Sequence, residues 1–485
     1  MIEVQLNKQD FEYDIHSLVR AFYPGTEVSI FYGESPKEES ELKIVIRYET
    51  NYIEITIQKP GEAPLRAALA VDYRAGRKEV KNSLKALLYQ QLEIYTDQEL
   101  PWGNLTGIRP TKIPMALLET GKSAAEISAY MQNTYFTSKE KANLAVAIAV
   151  REKHILEEIH YKNGYSLYIG IPFCPSICLY CSFSSSPLKL WENQVDTYLE
   201  ALCQEISFGA VAYQDKKLDT IYIGGGTPTT LTAVQLERVL QMITANFDMT
   251  YIKEFTVEAG RPDSITEEKL QVLRAYGVSR ISINPQTMNQ KTLDIIGRKH
   301  TVEETKNAFL LARKLGFDNI NMDLIVGLPG EEISAVEHTL REVSRLAPDS
   351  ITVHSLAVKR AARLQMFKDE YREMTFTNSE EIMDMAAGYA KSAGMAPYYL
   401  YRQKNMAGNF ENVGYAREGK EGIYNILIME EKQSILALGA GASTKVVQSA
   451  ERIDRIENVK DIKSYIERID EMIERKKQGF LKYGK

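Results

Sequence analysis

Three cysteines, Cys174, Cys178 and Cys181, fall in one run, Tyr168-Ile-Gly-Ile-Pro-Phe-Cys-Pro-Ser-Ile-Cys-Leu-Tyr-Cys181, and only one other, Cys203, occurs in the chain of 485 residues. The spacing is C-x3-C-x2-C. A structural zinc site takes four ligands, as two close cysteine pairs or a Cys/His mixture. Here no second pair follows, the nearest histidine upstream is His160, and none occurs downstream before His300. Three thiolates on one short loop suit an iron–sulfur cluster instead, because its irons are held by cysteine. Three cysteines for four irons leave one iron open to bind another group. Cys203 lies in a stretch of helical pattern from Asn193 to Tyr213 and is read as a small core residue. The odd number of cysteines in the loop and the lack of a signal-peptide pattern argue against a disulfide and for a reducing, cytoplasmic setting.

The elements that must position this loop alternate between strand and helix from Tyr165 onward. Strand-like apolar runs fall at Leu167–Ile171, Thr220–Ile223, Phe255–Val257, Arg280–Ile283, Ile320–Val326 and Ile351–Val353. Amphipathic helical patterns lie between them at Thr232–Asn246, Thr266–Tyr276, Val302–Leu315 and Ile333–Leu346. Six such units predict an α/β fold with a mostly parallel sheet, short of the eight units of a closed barrel. Ligands of parallel βα architectures gather beyond the carboxyl ends of the strands. The polar groups that stand out fall there. Gly224-Gly-Gly-Thr-Pro-Thr229 follows the second strand, and its glycines let backbone approach a ligand closely. Glu258 follows the third strand; Gln286 and then Arg298 follow the fourth. Asp323 sits inside the apolar run of the fifth, where an unpaired carboxylate would cost several kcal/mol, on the order of a lost charge–charge partner, so it needs a partner.

The three-cysteine loop, with Tyr180 just before its last cysteine, resembles the signature of the radical S-adenosylmethionine enzymes. That resemblance implies a [4Fe-4S] cluster held by Cys174, Cys178 and Cys181, with S-adenosyl-L-methionine on the open iron, and a partial (β/α)6 barrel. One electron from the cluster then yields a 5′-deoxyadenosyl radical, chemistry that the cofactor supplies. From Tyr165 to Lys445 the chain is similar to the oxygen-independent coproporphyrinogen III oxidase family. Within it, His354-Ser-Leu-Ala-Val-Lys-Arg360 and Tyr398-Tyr-Leu-Tyr-Arg-Gln-Lys-Asn405 point to the HemZ-type coproporphyrinogen dehydrogenase branch.

Carried over residue by residue, the family's cofactor site implies roles for Tyr168, Gly225, Gly226 and Thr227. It implies the same for Glu258, Gln286, Arg298 and Asp323, with Tyr180 and Ile325 flanking the adenine. Tyr168 is also the expected catalytic residue. Arg298 would meet the methionine carboxylate, and Gln286 and Asp323 the ribose hydroxyls. The implied activity is oxidative decarboxylation of coproporphyrinogen III to protoporphyrinogen IX in haem biosynthesis. A hydrogen atom is abstracted from a propionate, carbon dioxide leaves and an external acceptor takes the last electron. A donor such as flavodoxin or ferredoxin is implied. The substrate's propionates need cations, for which Lys359, Arg360, Arg363, Arg402 and Lys404 are candidates.

Two positions depart from the better-known members. Phe183 stands where they carry a further cysteine, and Gly170 where they carry a histidine. Neither is a cluster ligand. Related haem chaperones share the loop without decarboxylating porphyrinogens, so the alternatives are a haem-binding or haem-transfer protein, or a radical enzyme on another substrate.

Four regions are expected. Residues 1–100 form a small α+β domain, with Ile53, Ile55 and Ile57 alternating on a strand that pairs with Leu42–Arg47 and a helix from Arg77 to Tyr95. Residues 101–164 form a helical linker region, 165–374 the barrel core, and 375–485 an α+β covering region. In the last, strands are expected at Gly422–Met429 and Ser434–Leu438, then Gly439-Ala-Gly-Ala-Ser-Thr-Lys445 closing the cofactor site. A final helix carries Ile462, Tyr465, Ile466, Ile469 and Ile473 on a packing stripe. No apolar run is long enough to span a bilayer. A net charge of −6 offers no basic face for nucleic acid.

Overall fold

The structure, a computed structural model, describes residues 1–33, 40–107, 109–357, 362, 378–403, 410–449 and 452–483. Its contacts divide into two units, the first from Met1 to Ala149 and the second from Val150 onward, with Phe410 grouped in the first. In the first unit, β1 (Ile2–Leu6), α1 (Glu12–Phe22), β2 (Val28–Tyr32), β3 (Leu42–Tyr48), β4 (Tyr52–Gln58) and β5 (Leu65–Ala70) precede α2 (Arg77–Thr96). The strands form one sheet in the order β2-β1-β3-β4-β5. β3 and β4 pair antiparallel, with Ile46 opposite Ile55 and Ile44 opposite Ile57. Each of these four isoleucines is fully buried, as the period-two alternation requires of a half-covered strand. Helices α3 (Lys112–Glu119), α4 (Ala124–Tyr135) and α5 (Lys139–Glu157) follow.

The second unit opens with β6 (Gly164–Ile171), the short strands β7 (Phe173–Cys174) and β8 (Ser186–Pro187), then α6 (Val195–Ala212) and β9 (Lys217–Gly225). Next come α7 (Ala233–Asn246), β10 (Glu254–Glu258), α8 (Glu267–Ala275), β11 (Arg280–Ser282), α9 (Gln290–Ile295) and α10 (Val302–Lys314). β12 (Ile320–Val326), α11 (Ile333–Leu346) and β13 (Ser350–Ser355) bring the wall to six strands joined by five helical connections. Strands β6, β9, β10, β11, β12 and β13 lie side by side in chain order, each parallel to the next. A sheet that advances one strand at a time in one direction keeps its helices on one face, as in a barrel wall.

The helix starts were legible because their caps are local. Thr232 and Thr301 each close a capping box, with Gln235 and Glu304 respectively. The strands are apolar almost throughout since both faces are covered. In β12 the one residue not fully buried is Asp323.

Antiparallel β14 (Ala396–Tyr401) and β15 (Asn412–Ala416) extend the sheet beyond β13. At the other end β16 (Ser434–Leu438) pairs parallel to β6, followed by antiparallel β17 (Ser443–Val447) and β18 (Ile453–Glu457). Among the described residues no pairing joins β14 to β18, and the parallel wall has six strands, fewer than the eight of a closed (β/α)8 barrel. The strand expected at Gly422–Met429 is instead a helix, Ile423–Glu430. Its Ile- and Tyr-rich composition favours a strand locally, but the segment is apolar on nearly every side and carries no period. Two helices, Ile462–Glu467 and Ile469–Tyr483, stand where one was expected, and Ile462, Tyr465 and Ile469 are buried as the stripe required. No helix among the described residues is long and apolar enough to cross a membrane.

Candidate active site

The cysteine loop leaves β6 and is pinned at three places. Gly226 N donates to Ile171 O at 2.8 Å and Thr227 N to Phe173 O at 2.7 Å, stitching the glycine turn after β9 under the loop. A Cβ on Gly226 would lie 2.5 Å from Phe173 O and 2.8 Å from Ile171 O, so only glycine allows this closure. β7 pairs with β8, which brings the two ends of the loop together. The far side is held by Leu179 N on Ile296 O at 2.9 Å and by Ser176 Oγ on Gly297 O at 3.1 Å. Cys178 is buried, while Cys174 and Cys181 are partly so. Thr227 Oγ1 stands 3.5 Å from Cys174 Sγ and Arg261 Nη1 stands 3.8 Å from Cys178 Sγ. Burial holds the thiols of Cys174 and Cys181 above their ordinary pKa.

The loop opens into a cavity of about 610 Å³, and all thirteen of the site residues expected from the sequence line it. Cys174, Cys178, Cys181 and Tyr180 come from the loop, and Tyr168 from β6. Gly225, Gly226 and Thr227 follow β9, Glu258 ends β10, and Gln286 and Arg298 follow β11. Asp323 and Ile325 project from β12.

Gln286 takes a left-handed backbone, φ +66°, which costs a non-glycine residue about 1–2 kcal/mol. Two backbone bonds to β12 enforce it: Gln286 N to Asp323 O at 3.0 Å and Ile325 N to Gln286 O at 2.9 Å. Arg298 is almost fully buried. It donates from Nη1 to Tyr180 Oη at 3.0 Å, and from Nη2 to the carbonyls of Gly260 at 2.6 Å and Asn284 at 2.7 Å. Tyr180 and Ile325 pack on one apolar cluster that includes Leu179, Leu293 and Leu356.

The partner that Asp323 requires is present. Asn321 Nδ2 donates to it at 2.7 Å and His354 Nε2 stands 3.9 Å away. Burial alone would raise its pKa, but His354 and Asn321 outweigh that and hold the carboxyl below its usual range. Glu258 goes the other way. Burial pushes it up to about 7, against the hydroxyl of Tyr222 that donates to it. Tyr168, Tyr222 and Tyr424 form a near-parallel stack in the same wall, with centroids 4.5 Å apart for Tyr222–Tyr424 and 6.3 Å for the other two pairs.

Several lining groups carried no assigned role in the sequence reading. Arg261 has no signal beyond its place three residues after Glu258, and Tyr222 is hidden in the alternation of β9. Tyr424 and Asn425 belong to the helix read as a strand. Arg280 is fully buried and donates from Nη2 to Ser350 Oγ at 3.1 Å. Of the candidate propionate cations, Arg402 is buried and does not line the cavity. Lys359, Arg360, Arg363 and Lys404 lie outside the described residues. Of the segment expected to close the site, Gly441, Ala442, Ser443 and Lys445 line the cavity. Phe183 is 72% exposed. A Cβ on Gly170 would stand 3.4 Å from Leu438 O, in ordinary van der Waals contact.

The cavity wall fits a cluster with a bound sulfonium amino acid. Three free thiols on one loop suit the cysteine-held irons of a cluster. Gln286 Oε1, an acceptor, and Arg298 Nε, a donor, are buried without a partner. Unmet polar groups of this kind are expected where a ligand completes them. Gly225 and Gly226 of the glycine turn line the same cavity.

A family model described as the radical SAM superfamily matches residues 168–343. The chain is 43% identical over 404 residues to the oxygen-independent coproporphyrinogen-III oxidase-like protein HemZ of Bacillus subtilis, covering 82% of this chain and 81% of that one. It is 33% identical over 309 residues to the heme chaperone HemW of the same organism, covering 63% of this chain and 76% of HemW. Among solved structures, coproporphyrinogen III oxidase (HemN) from Escherichia coli, described as a radical SAM enzyme, matches with a TM-score of 0.52 at 23% identity. That match covers 66% of this chain and 73% of HemN, a likeness of fold.

Proposed function

The chain belongs to the radical SAM superfamily and, within it, to the oxygen-independent coproporphyrinogen-III oxidase-like proteins, and from that premise we propose that it oxidatively decarboxylates coproporphyrinogen III to protoporphyrinogen IX. The superfamily uses a [4Fe-4S] cluster and S-adenosylmethionine, which when bound supply one-electron cleavage of the sulfonium and a radical that takes a hydrogen atom from substrate.

This chain's residues bind, orient and keep the site dry. Cys174, Cys178 and Cys181 would hold the cluster. Gly225, Gly226 and Thr227 present backbone to the methionine amino group. Arg298 has both Nη groups engaged with Tyr180, Gly260 and Asn284 while its Nε has no partner, so Nε is a donor offered to a carboxylate. Gln286 Oε1 and the ionised Asp323 accept from ribose hydroxyls. Tyr180 and Ile325 offer the apolar side of the pocket to the adenine. Tyr168 is assigned as the catalytic residue. Burial keeps its phenol neutral, so it acts as an O–H donor at the wall where substrate meets cofactor.

The observation that carries this reading is that the thirteen residues, drawn from five separate strand ends and the loop, line one cavity. The test is anaerobic: the reconstituted protein is given S-adenosylmethionine, a reductant and coproporphyrinogen III, and porphyrins and 5′-deoxyadenosine are followed by chromatography. Vinyl products appearing with 5′-deoxyadenosine are expected. Deoxyadenosine without any porphyrin change would rule out the decarboxylation.

A second reading, haem handling, is favoured by the 33% identity to a heme chaperone and by the exposed Phe183 beside the loop. Stoichiometric haem binding without porphyrinogen turnover would select it, and the lack of haem affinity would end it.

A further inference from the structure

Arg261 is a second arginine buried against the cysteine loop, only 3% exposed. It follows β10, and its guanidinium is fixed from two sides. Nε and Nη2 fork onto the Asp263 carboxylate at 3.0 and 2.9 Å. Nη1 donates to the carbonyl of Ser176 at 3.3 Å and to its hydroxyl at 3.2 Å, and stands 3.8 Å from Cys178 Sγ. A bidentate fork sets the guanidinium plane, so the remaining edge is aimed at the loop. The contact on Cys174 comes from a neutral hydroxyl, Thr227; the contact on Cys178 comes from a full positive charge.

Neutral donors would tie Ser176 in place equally well, and a buried cation carries a desolvation penalty that they do not. What a cation adds is its effect on another charge nearby. Cys178 is the most deeply buried of the three thiols, in surroundings of low polarisability where such effects are strong.

We infer that Arg261 is a positioning residue that, through Cys178, raises the reduction potential of the cluster held by the loop, and that Asp263 moderates this effect. The inference rests on the cluster assignment made above. A cluster that gains an electron becomes more negative, and a fixed cation favours that state over the oxidised one. Hydrogen bonds to the ligand sulfurs act in the same direction. No bond is made or broken; the electron comes from an external one-electron donor, which in the test is dithionite.

The two residues carry opposite charge, and that separates tuning from mere support of the loop. Loosening the loop would move the potential in one direction whichever partner is removed. Tuning moves it in opposite directions. The experiment is a mediated dithionite titration of reconstituted wild-type protein, Arg261→Gln, Arg261→Lys and Asp263→Asn, without S-adenosylmethionine or porphyrin, with the reduced cluster read by electron paramagnetic resonance. Arg261→Gln is expected to have a more negative midpoint than wild type, Asp263→Asn a less negative one, and Arg261→Lys to lie between Arg261→Gln and wild type. An unchanged or raised midpoint in Arg261→Gln overturns the inference. If that variant takes up no cluster, Asp263→Asn decides, and a midpoint that does not rise overturns it. A wild-type protein that takes up no cluster overturns the cofactor assignment itself, and this inference with it.

Discussion

The five-stranded sheet of the first unit and the strand ends of the second bury side chains for opposite reasons. In the sheet, Ile44, Ile46, Ile53, Ile55 and Ile57 lie fully buried in one apolar core with Leu and Val from β1, α1 and α2. Each buried methylene there removes apolar surface from water, worth about 0.8 kcal/mol. Around the cavity the buried or half-buried groups are Glu258, Arg280, Arg298 and Asp323, and two of the arginine Nε atoms have no partner. Such groups cost stability unless something completes them. One region is built for its own cohesion, the other for a guest.

The sharpest break between the two would come from Cys178→Ala. It is expected to abolish cluster uptake, read as iron and sulfide content and visible absorbance, while the apoprotein keeps its far-ultraviolet circular dichroism. Retention of a full cluster would refute the ligand assignment. Ile55→Ala is the mirror experiment. Truncating a fully buried isoleucine should destabilise the protein by about 2–5 kcal/mol in denaturant titration, with cluster content unchanged. Loss of the cluster in that variant would mean that the two regions are not separable as described.

Glu258 sharpens the contrast through pH. Its pKa is raised from 4.5 to about 7 in the folded protein, so the native state binds the proton more tightly than the unfolded one. The stabilisation is present in full below about pH 4.5 and is lost as pH rises towards 7. Because the carboxyl borders the cavity, where water screens it, the effect should be about 1–3 kcal/mol. Apoprotein carrying Glu258→Gln should lose that decline in unfolding free energy between pH 4.5 and 7, and an unaltered profile would count against a raised pKa. Asp323→Asn removes the charge that accepts from Asn321 and faces His354. A weakening of S-adenosylmethionine binding of about tenfold, or roughly 1.4 kcal/mol, is expected by calorimetry on the reconstituted protein. The smallest effect belongs to Cys203→Ser, on α6 and outside the cavity lining. Cluster content and binding should be unchanged.

What could be read in the chain was what is local or periodic. Helix caps, strand alternation and the C-x3-C-x2-C loop are each decided within a few residues. So are the polar groups placed just after strands. That is why four helices and six strands of the barrel wall could be located to within a few residues. The helix Ile423–Glu430 was misread because its Ile and Tyr content favours a strand. Its form is settled by contacts from far away in sequence, including the bond from Ile423 N to Glu254 and the stacking of Tyr424 on Tyr222.

The sequence by itself determined which thiols share one short loop and the repeating unit, since spacing places residues together on a loop and periodicity fixes which face is buried. The tertiary structure alone decided the neighbours. β16 beside β6, Arg261 against Cys178, His354 beside Asp323 and the three-tyrosine stack are pairings between residues 31 to 269 positions apart, set by how the sheet winds. No local signal encodes them, because a pairing energy depends on which strands the packed wall brings side by side.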